Sequence, residues 1–273
     1  MKIGRINFAN LYPIFHCLEK AYQDADVFAD ITTDLRYEFI SGVPSQVNAL
    51  IREGSIDISP SSSIEYLRNP GKYYLIDGHS ISSIGPIMSI VLFSKVSIER
   101  LDGTTVLASF QSETSTALLK IILGKFYGLS ADVRVSGATL KDGLAEHAAY
   151  MLIGDSAMYE AQRASLQPGT TPYLYDLGAI WYEHTGLPFV FALWIAKRDC
   201  NAADVERFTK DLDWAKAEAT SSFDIIAENS PYAEIFSTET LVKYWKTISY
   251  CLTGRHKDGL NLFESYLREL HLI

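Results

Sequence analysis

Phe189-Val190-Phe191-Ala192-Leu193-Trp194-Ile195-Ala196 runs without a polar interruption, and Ile87-Met88-Ser89-Ile90-Val91-Leu92-Phe93 is its nearest counterpart earlier in the chain. Runs this short, rich in β-branched and aromatic residues, read as strands buried on both faces. Before the first of them, strands are expected near residues 2–8, at Leu35–Ile40, at Ile56–Ile58 and at Tyr73–Ile76. Helices fall between: one from Pro13 to about Ala21, one opened by Gly42-Val43-Pro44 with Val47, Leu50 and Ile51 on one face, and a short one at Ile64–Leu67. Between the two long runs the same alternation resumes, with strands at Thr104–Ala108, Val133–Val135 and Tyr150–Ile153 and helices at Thr114–Phe126, 140–148 and 156–164. After the second run the chain reads as helical, at Val205-Phe208-Leu212, Leu241–Cys251 and Leu260–Leu270.

Strand-helix-strand alternation implies βαβ units and a largely parallel sheet. With the two long strands as crossings, the chain divides into a discontinuous first lobe, residues 1–90 plus 197–273, and a second lobe, residues 91–196. That is an α/β, two-lobed, periplasmic-binding-protein-like fold with a ligand cleft between the lobes.

The composition suits such a fold. The 273 residues are 48% hydrophobic and 21% charged, within the range of folded proteins. Lys plus Arg is 24 against 33 Asp plus Glu, a net charge of −9, which disfavours a nucleic-acid partner. Small anions remain admissible, because helix N-termini hold them through backbone amides. Cys17, Cys200 and Cys251 form no CxxC pair, and the six histidines show no metal-binding spacing, so no metal is expected. No window is apolar enough to span a membrane. The opening Met1–Phe8 reads as a strand rather than as a leader, so the expected location is the cytoplasm.

Ligands in open α/β sheets gather outside the carboxyl ends of the strands. The residues expected there are Asn10, Ser59–Ser63, Gln111–Thr116 and Gly154-Asp155-Ser156. Three of these segments lead into helices, so each cluster reads first as a helix cap and second as an anion cradle. Two cradles on opposite lobes suit a small dicarboxylate. A loop, Gly78–Pro86, joins the fourth strand to the first crossing and carries His79 and several serines; His79 and His184 read as structural hydrogen-bonding residues. Trp181, Tyr182, Phe189 and Phe191 are candidate cleft walls.

Taken in order, several motifs carry a resemblance. They are Gly4-Arg5-Ile6 with Asn10 and Pro13; Gly42-Val43-Pro44-Ser45-Gln46-Val47-Asn48; and Ile58-Ser59-Pro60-Ser61-Ser62-Ser63-Ile64-Glu65-Tyr66. Next come Ile81-x-Ser83-x-Gly85-Pro86-Ile87-x-Ser89-Ile90, Ser112-x-Thr114-Ser115 and Ile153-Gly154-Asp155. The last are Tyr175-Asp176-Leu177-Gly178 with Trp181, Thr185-Gly186-Leu187-Pro188-Phe189-Val190-Phe191-Ala192, and, more faintly, Tyr250-x-Leu252-Thr253 with Gly259-Leu260-x-x-Phe263. The chain resembles the chorismate dehydratase family of the futalosine route to menaquinone. It departs at Phe8-Ala9-Asn10, where the family usually has Tyr-Leu-Asn.

The resemblance implies a type II periplasmic-binding-protein fold turned into a hydro-lyase. The implied reaction converts chorismate to 3-[(1-carboxyvinyl)oxy]benzoate and water, without metal or cofactor. It implies Asn10 and Ser83 as catalytic residues, with Ser89 as the alternative serine; no protein base stands out in the sequence, so a carboxylate of the substrate itself is the expected base. The implied substrate contacts are Ser61, Ser62, Ser63, Gly85, Ser112, Thr114, Ser115, Gly154 and Asp155. Two rival readings remain at this stage: 1,4-dihydroxy-6-naphthoate synthase of the same pathway, and a cytosolic small-molecule binding protein without catalysis.

Overall fold

The computed structural model describes residues 1–23, 37–166 and 173–273. The chain opens with β1 (Lys2–Ile6), α1 (Tyr12–Gln23), β2 (Glu38–Gly42), α2 (Pro44–Arg52), β3 (Ile58–Ser62), α3 (Ser63–Arg68) and β4 (Tyr73–Ser83). It crosses to β5 (Ile90–Ser94), β6 (Thr105–Ser109), α4 (Glu113–Ile121), β7 (Asp132–Ser136), α5 (Leu140–Glu146), β8 (Ala149–Ile153), α6 (Gly154–Leu166), β9 (Tyr173–Asp176) and α7 (Leu177–Thr185). It returns with β10 (Phe189–Lys197), α8 (Ala202–Ser221), α9 (Phe223–Glu228), α10 (Thr238–Thr247), β11 (Ile248–Leu252) and α11 (Gly254–Glu269). The described strands form two sheets, ordered β11-β4-β10-β3-β1-β2 and β7-β6-β8-β5-β9. The two sheets, with the helices around them, make two α/β lobes joined by two crossings.

Several details differ from expectation. The sheets do not divide at 90/91 and 196/197: β10 lies inside the first sheet, antiparallel to β3 from Ala192↔Ser62 to Ala196↔Ile58 and antiparallel to β4 on its other side. A strand buried along nearly its whole length needs neighbours on both edges, and the sheet centre supplies them. The crossings are instead the short segments between β4 and β5 and between α7 and β10. The sheets are mixed rather than largely parallel, because β4, β5 and β10, which flank those crossings, all pair antiparallel.

The expected loop at 78–86 is strand as far as Ser83. Its serines tolerate burial because Ser80 and Ser82 share a hydrogen bond of 2.6 Å and the Ser80 hydroxyl donates to the Cys251 carbonyl at 2.7 Å. The helix expected to reach Cys251 stops at Thr247, and Ile248–Leu252 alternates buried and open positions as an edge strand on β4. Leu35 and Arg36, expected in the second strand, lie outside the described residues; that strand is described from Glu38.

Packing on β10 ties the first lobe together and reaches α7 across the crossing. Trp194 meets Phe15 of α1 at 5.7 Å and Phe208 of α8 at 5.6 Å, while Phe189 meets Trp181 of α7 at 5.0 Å and Phe263 of α11 at 4.9 Å.

Two features of this topology locate the cleft. β1 lies between β2 and β3, and β6 lies between β7 and β8, each parallel to both neighbours. The chain steps one way from β1 to β2 and back past β1 to β3, and does the same from β6 to β7 and then β8, which opens a crevice beyond the strand ends in each sheet. In the first sheet β1 and β3 pair only at Ile3↔Ile58, and Pro60, with no N–H to offer a ladder, follows just beyond.

Candidate active site

The two crevices face one another across a cavity of about 60 Å³. Asn10 reaches it from the turn after β1, Ser62 from the end of β3, Ser112 and Ser115 from the start of α4, and Gly154 from the end of β8. Ser89 enters from the crossing that precedes β5, and Ile6, Phe8, Leu11, Ile81, Ile153 and Phe191 supply apolar walls. No charged side chain lines this cavity among the described residues. The Asn10 Oδ1 atom is buried and accepts no hydrogen bond from any described residue.

The turn bearing Asn10 is held on three sides. The Trp245 indole N–H donates to the Ala9 carbonyl at 2.7 Å, and the Tyr250 hydroxyl donates to the Asn10 carbonyl at 2.6 Å. From the other lobe, Asp155 Oδ1 accepts the Ala9 N–H at 2.9 Å. Phe8 lies on Gly154, where a Cβ would sit 3.2 Å from its ring and where φ is +65°. Two further links close the cleft: the Ile64 N–H donates to Thr114 Oγ1 at 3.1 Å, and Arg68 pairs with Glu113 at 2.6 Å.

Of the residues expected here, Asn10, Ser62, Ser112, Ser115 and Gly154 line the cavity, and Ser89 joins them. Ser83 does not; its hydroxyl is turned onto the Gly85 carbonyl at 2.8 Å, so it braces the crossing. Gly85 itself lies in that brace with φ +96°. The hydroxyl of Ser61 is paired with Ser59 at 2.7 Å, and that of Ser63 donates to the Val190 carbonyl at 2.6 Å. Strand alternation turns Ser61 away from the face that Ser62 presents. Thr114 and Asp155 serve as inter-lobe acceptors rather than as cavity lining. Phe191 is a wall, whereas Phe189 and Trp181 are core.

Neither histidine reaches the cavity. His79 is buried beside Asp213 at 3.1 Å, and burial pulls its pKa down to about 4. His184 stacks on Phe126 at 4.6 Å and meets the Ile180 carbonyl through Nδ1. Trp245, Tyr250 and Asp176 were not singled out as site residues by sequence, although Tyr250 and Asp176 fall inside motifs quoted above.

At the start of α4, the Ser112 hydroxyl accepts the Ser115 N–H at 3.2 Å. The amides of Glu113 and Thr114 are left without helical partners, as in any first turn. Free amides at a helix start are able to hold an anion without a cation. Among the described residues no cluster of three His, Cys, Asp or Glu side chains is placed to hold a metal, and no helix is long and apolar enough to cross a membrane.

Asp155 is the acid nearest this chemistry. Burial pushes its carboxyl up to about 6, against the opposing pull of the Ala9 N–H. An unfolded aspartate releases its proton near 4. Between those limits the folded chain holds the extra proton, so the group favours folding at acidic pH and that contribution is lost as pH rises through 6. Asp155→Asn keeps an oxygen for Ala9 and removes the charge. Its stability advantage over the parent is expected to grow from pH 4 to 6 and then level off, at no more than about 3 kcal/mol. Urea unfolding across that range measures it, and a difference that stays constant with pH refutes it.

A family model described as "Menaquinone biosynthesis" matches residues 1–269. The chain belongs to that family. Among curated family relatives, a chorismate dehydratase of Thermus thermophilus is 27% identical over 208 residues, covering 72% of this chain and 70% of the relative. Among solved structures, a protein from Archaeoglobus fulgidus superposes with a TM-score of 0.77 at 17% identity, over 100% of this chain and 98% of that one. The periplasmic aliphatic sulphonate binding protein SsuA of Escherichia coli gives 0.66 at 16%, over 100% and 93%. At those identities the structural likeness speaks for the fold alone: this family member has a periplasmic-binding-protein-like architecture.

Proposed function

We propose that the chain is a chorismate dehydratase, a hydro-lyase acting in the cytoplasm that converts chorismate to 3-[(1-carboxyvinyl)oxy]benzoate and water. The observation that carries this reading is the Asn10 Oδ1 atom, buried without a partner among the described residues beside a cavity that holds hydroxyls and no charged side chain. A hydrolase or a proton-abstracting isomerase needs an acid-base side chain at its centre. Dehydration of chorismate does not, if the substrate brings its own base.

The hydroxyl at C4 leaves and the hydrogen at C3 is lost as a proton, whose electron pair completes the aromatic ring. Asn10 comes from the turn after β1 and Ser89 from the crossing before β5, and both can hydrogen-bond to the departing hydroxyl as charge develops on it. We assign the catalytic serine to Ser89 instead of Ser83, whose hydroxyl is occupied by Gly85. A carboxylate of the substrate takes the C3 proton. Ser112 and Ser115, at the start of α4, are assigned to one carboxylate, and Ser62, which also lines the cavity, to the other end of the ligand.

A cavity of about 60 Å³ is below the size of pockets that enclose a ligand of this size. Entry therefore requires the links at Asp155, Thr114 and Glu113 to part. Purified protein given chorismate, with no metal or nucleotide, is expected to form an aromatic product lighter by one water. Chorismate recovered unchanged from folded protein refutes the reading, and tight binding without turnover would identify a binding protein instead.

A further inference from the structure

We propose that Asp176 is a positioning residue for Ser89: its carboxylate holds the crossing between β4 and β5 in a backbone shape the segment would not keep by itself, and so aims the serine into the cleft. The inference rests on the assignment of Ser89 given above. Asp176 caps α7, accepting the Ala179 N–H at 3.0 Å, but a cap requires only that one bond. Here the carboxylate also accepts the Ile87 N–H at 3.0 Å and the Met88 N–H at 2.6 Å, both from the crossing.

Met88 needs that hold. Its φ is +67°, in the left-handed region that a side chain of this kind rarely enters, and Gly85 three residues earlier has φ +96°. The other end of the segment is tied by the Ser83 hydroxyl on the Gly85 carbonyl. Gly178 lets α7 lie directly on this brace, since a Cβ there would come within 2.7 Å of the Gly85 carbonyl oxygen and 2.8 Å of the Ser83 hydroxyl. Ser89 follows at once, its carbonyl accepting the Gly154 N–H at 2.7 Å and its side chain lining the cavity. A relaxed φ at Met88 would rotate every atom that follows it, so the direction of the serine hydroxyl depends on the clamp.

Asp176→Ser separates capping from clamping, because a serine oxygen still reaches the Ala179 N–H but not the crossing as well. The variant is expected to melt within a few degrees of the parent and to lose roughly 10²-fold in kcat on chorismate, with KM within about threefold. Exchange of the Ile87 and Met88 amides is expected to accelerate. Adding Met88→Gly, which accepts positive φ freely, is expected to return about tenfold of the lost kcat. A kcat near the parent value overturns the proposal, as does a loss that Met88→Gly leaves untouched while both amides stay protected. Should the parent be inert toward chorismate, the functional reading fails by itself. The clamp is then judged by amide exchange alone, where unchanged protection in Asp176→Ser overturns it.

Discussion

Asn10→Ala is expected to yield a folded protein that has lost turnover by about 10²- to 10³-fold, the usual cost of removing one donor from a developing oxyanion. The structure explains why the loss would be confined to activity. Asn10 Oδ1 has no hydrogen-bond partner among the described residues, so the fold gains nothing from the amide. The turn around it is held through main-chain groups, the Ala9 carbonyl and N–H and the Asn10 carbonyl, which an alanine presents equally well. Removing a buried polar group that lacks a partner relieves a desolvation cost. The melting temperature of Asn10→Ala is therefore expected to match or exceed that of the parent. Turnover of chorismate and a thermal melt on the same preparation measure both parts. Activity within tenfold of the parent would remove Asn10 from the chemistry, and a collapse in stability would show it to be structural.

How far the site was legible in sequence depends on what each residue's role requires. The apolar run at Phe189–Ala196 announces a buried strand, because eight residues without a polar break cannot face water. It says nothing about which neighbours cover it, and so the lobe boundary near it was misplaced. Asn10, Ser62 and Ser112 were reachable from the rule that ligands sit beyond strand ends. Ser61 and Ser63 look the same in sequence, yet their hydroxyls are consumed, the second by a carbonyl 127 residues away. Asp155 likewise finds its partner 146 residues away, across the cleft. A hydroxyl's availability is a property of its distant partners, and no local pattern records it. The same holds for β11, whose residues continue a helical spacing until the edge of β4 captures them as a strand.

The choice between the two serines gives the second large effect. Ser89→Ala is expected to lower kcat by about 10²-fold or more with little change in stability, and Ser83→Ala by less than about tenfold with a loss near 1 kcal/mol. The difference follows from what each hydroxyl does in the folded chain. Ser83 donates to Gly85 inside a buried brace, so its removal costs one hydrogen bond and loosens a crossing that Asp176 still clamps from the other side. Ser89 lines the cavity that Asn10 also lines, and the buried Tyr244 hydroxyl lies within reach of its side chain. Ser89 is held in place by its main chain, through its carbonyl and Gly154, while its side chain faces both the cavity and the Tyr244 hydroxyl. Measured side by side, kcat and urea unfolding should move in opposite order for the two variants: activity falls most in Ser89→Ala, stability falls most in Ser83→Ala. Equal losses of kcat would mean that the brace and the cavity act as one unit, and that the hydroxyl on the departing group is not identified by which serine faces the cavity.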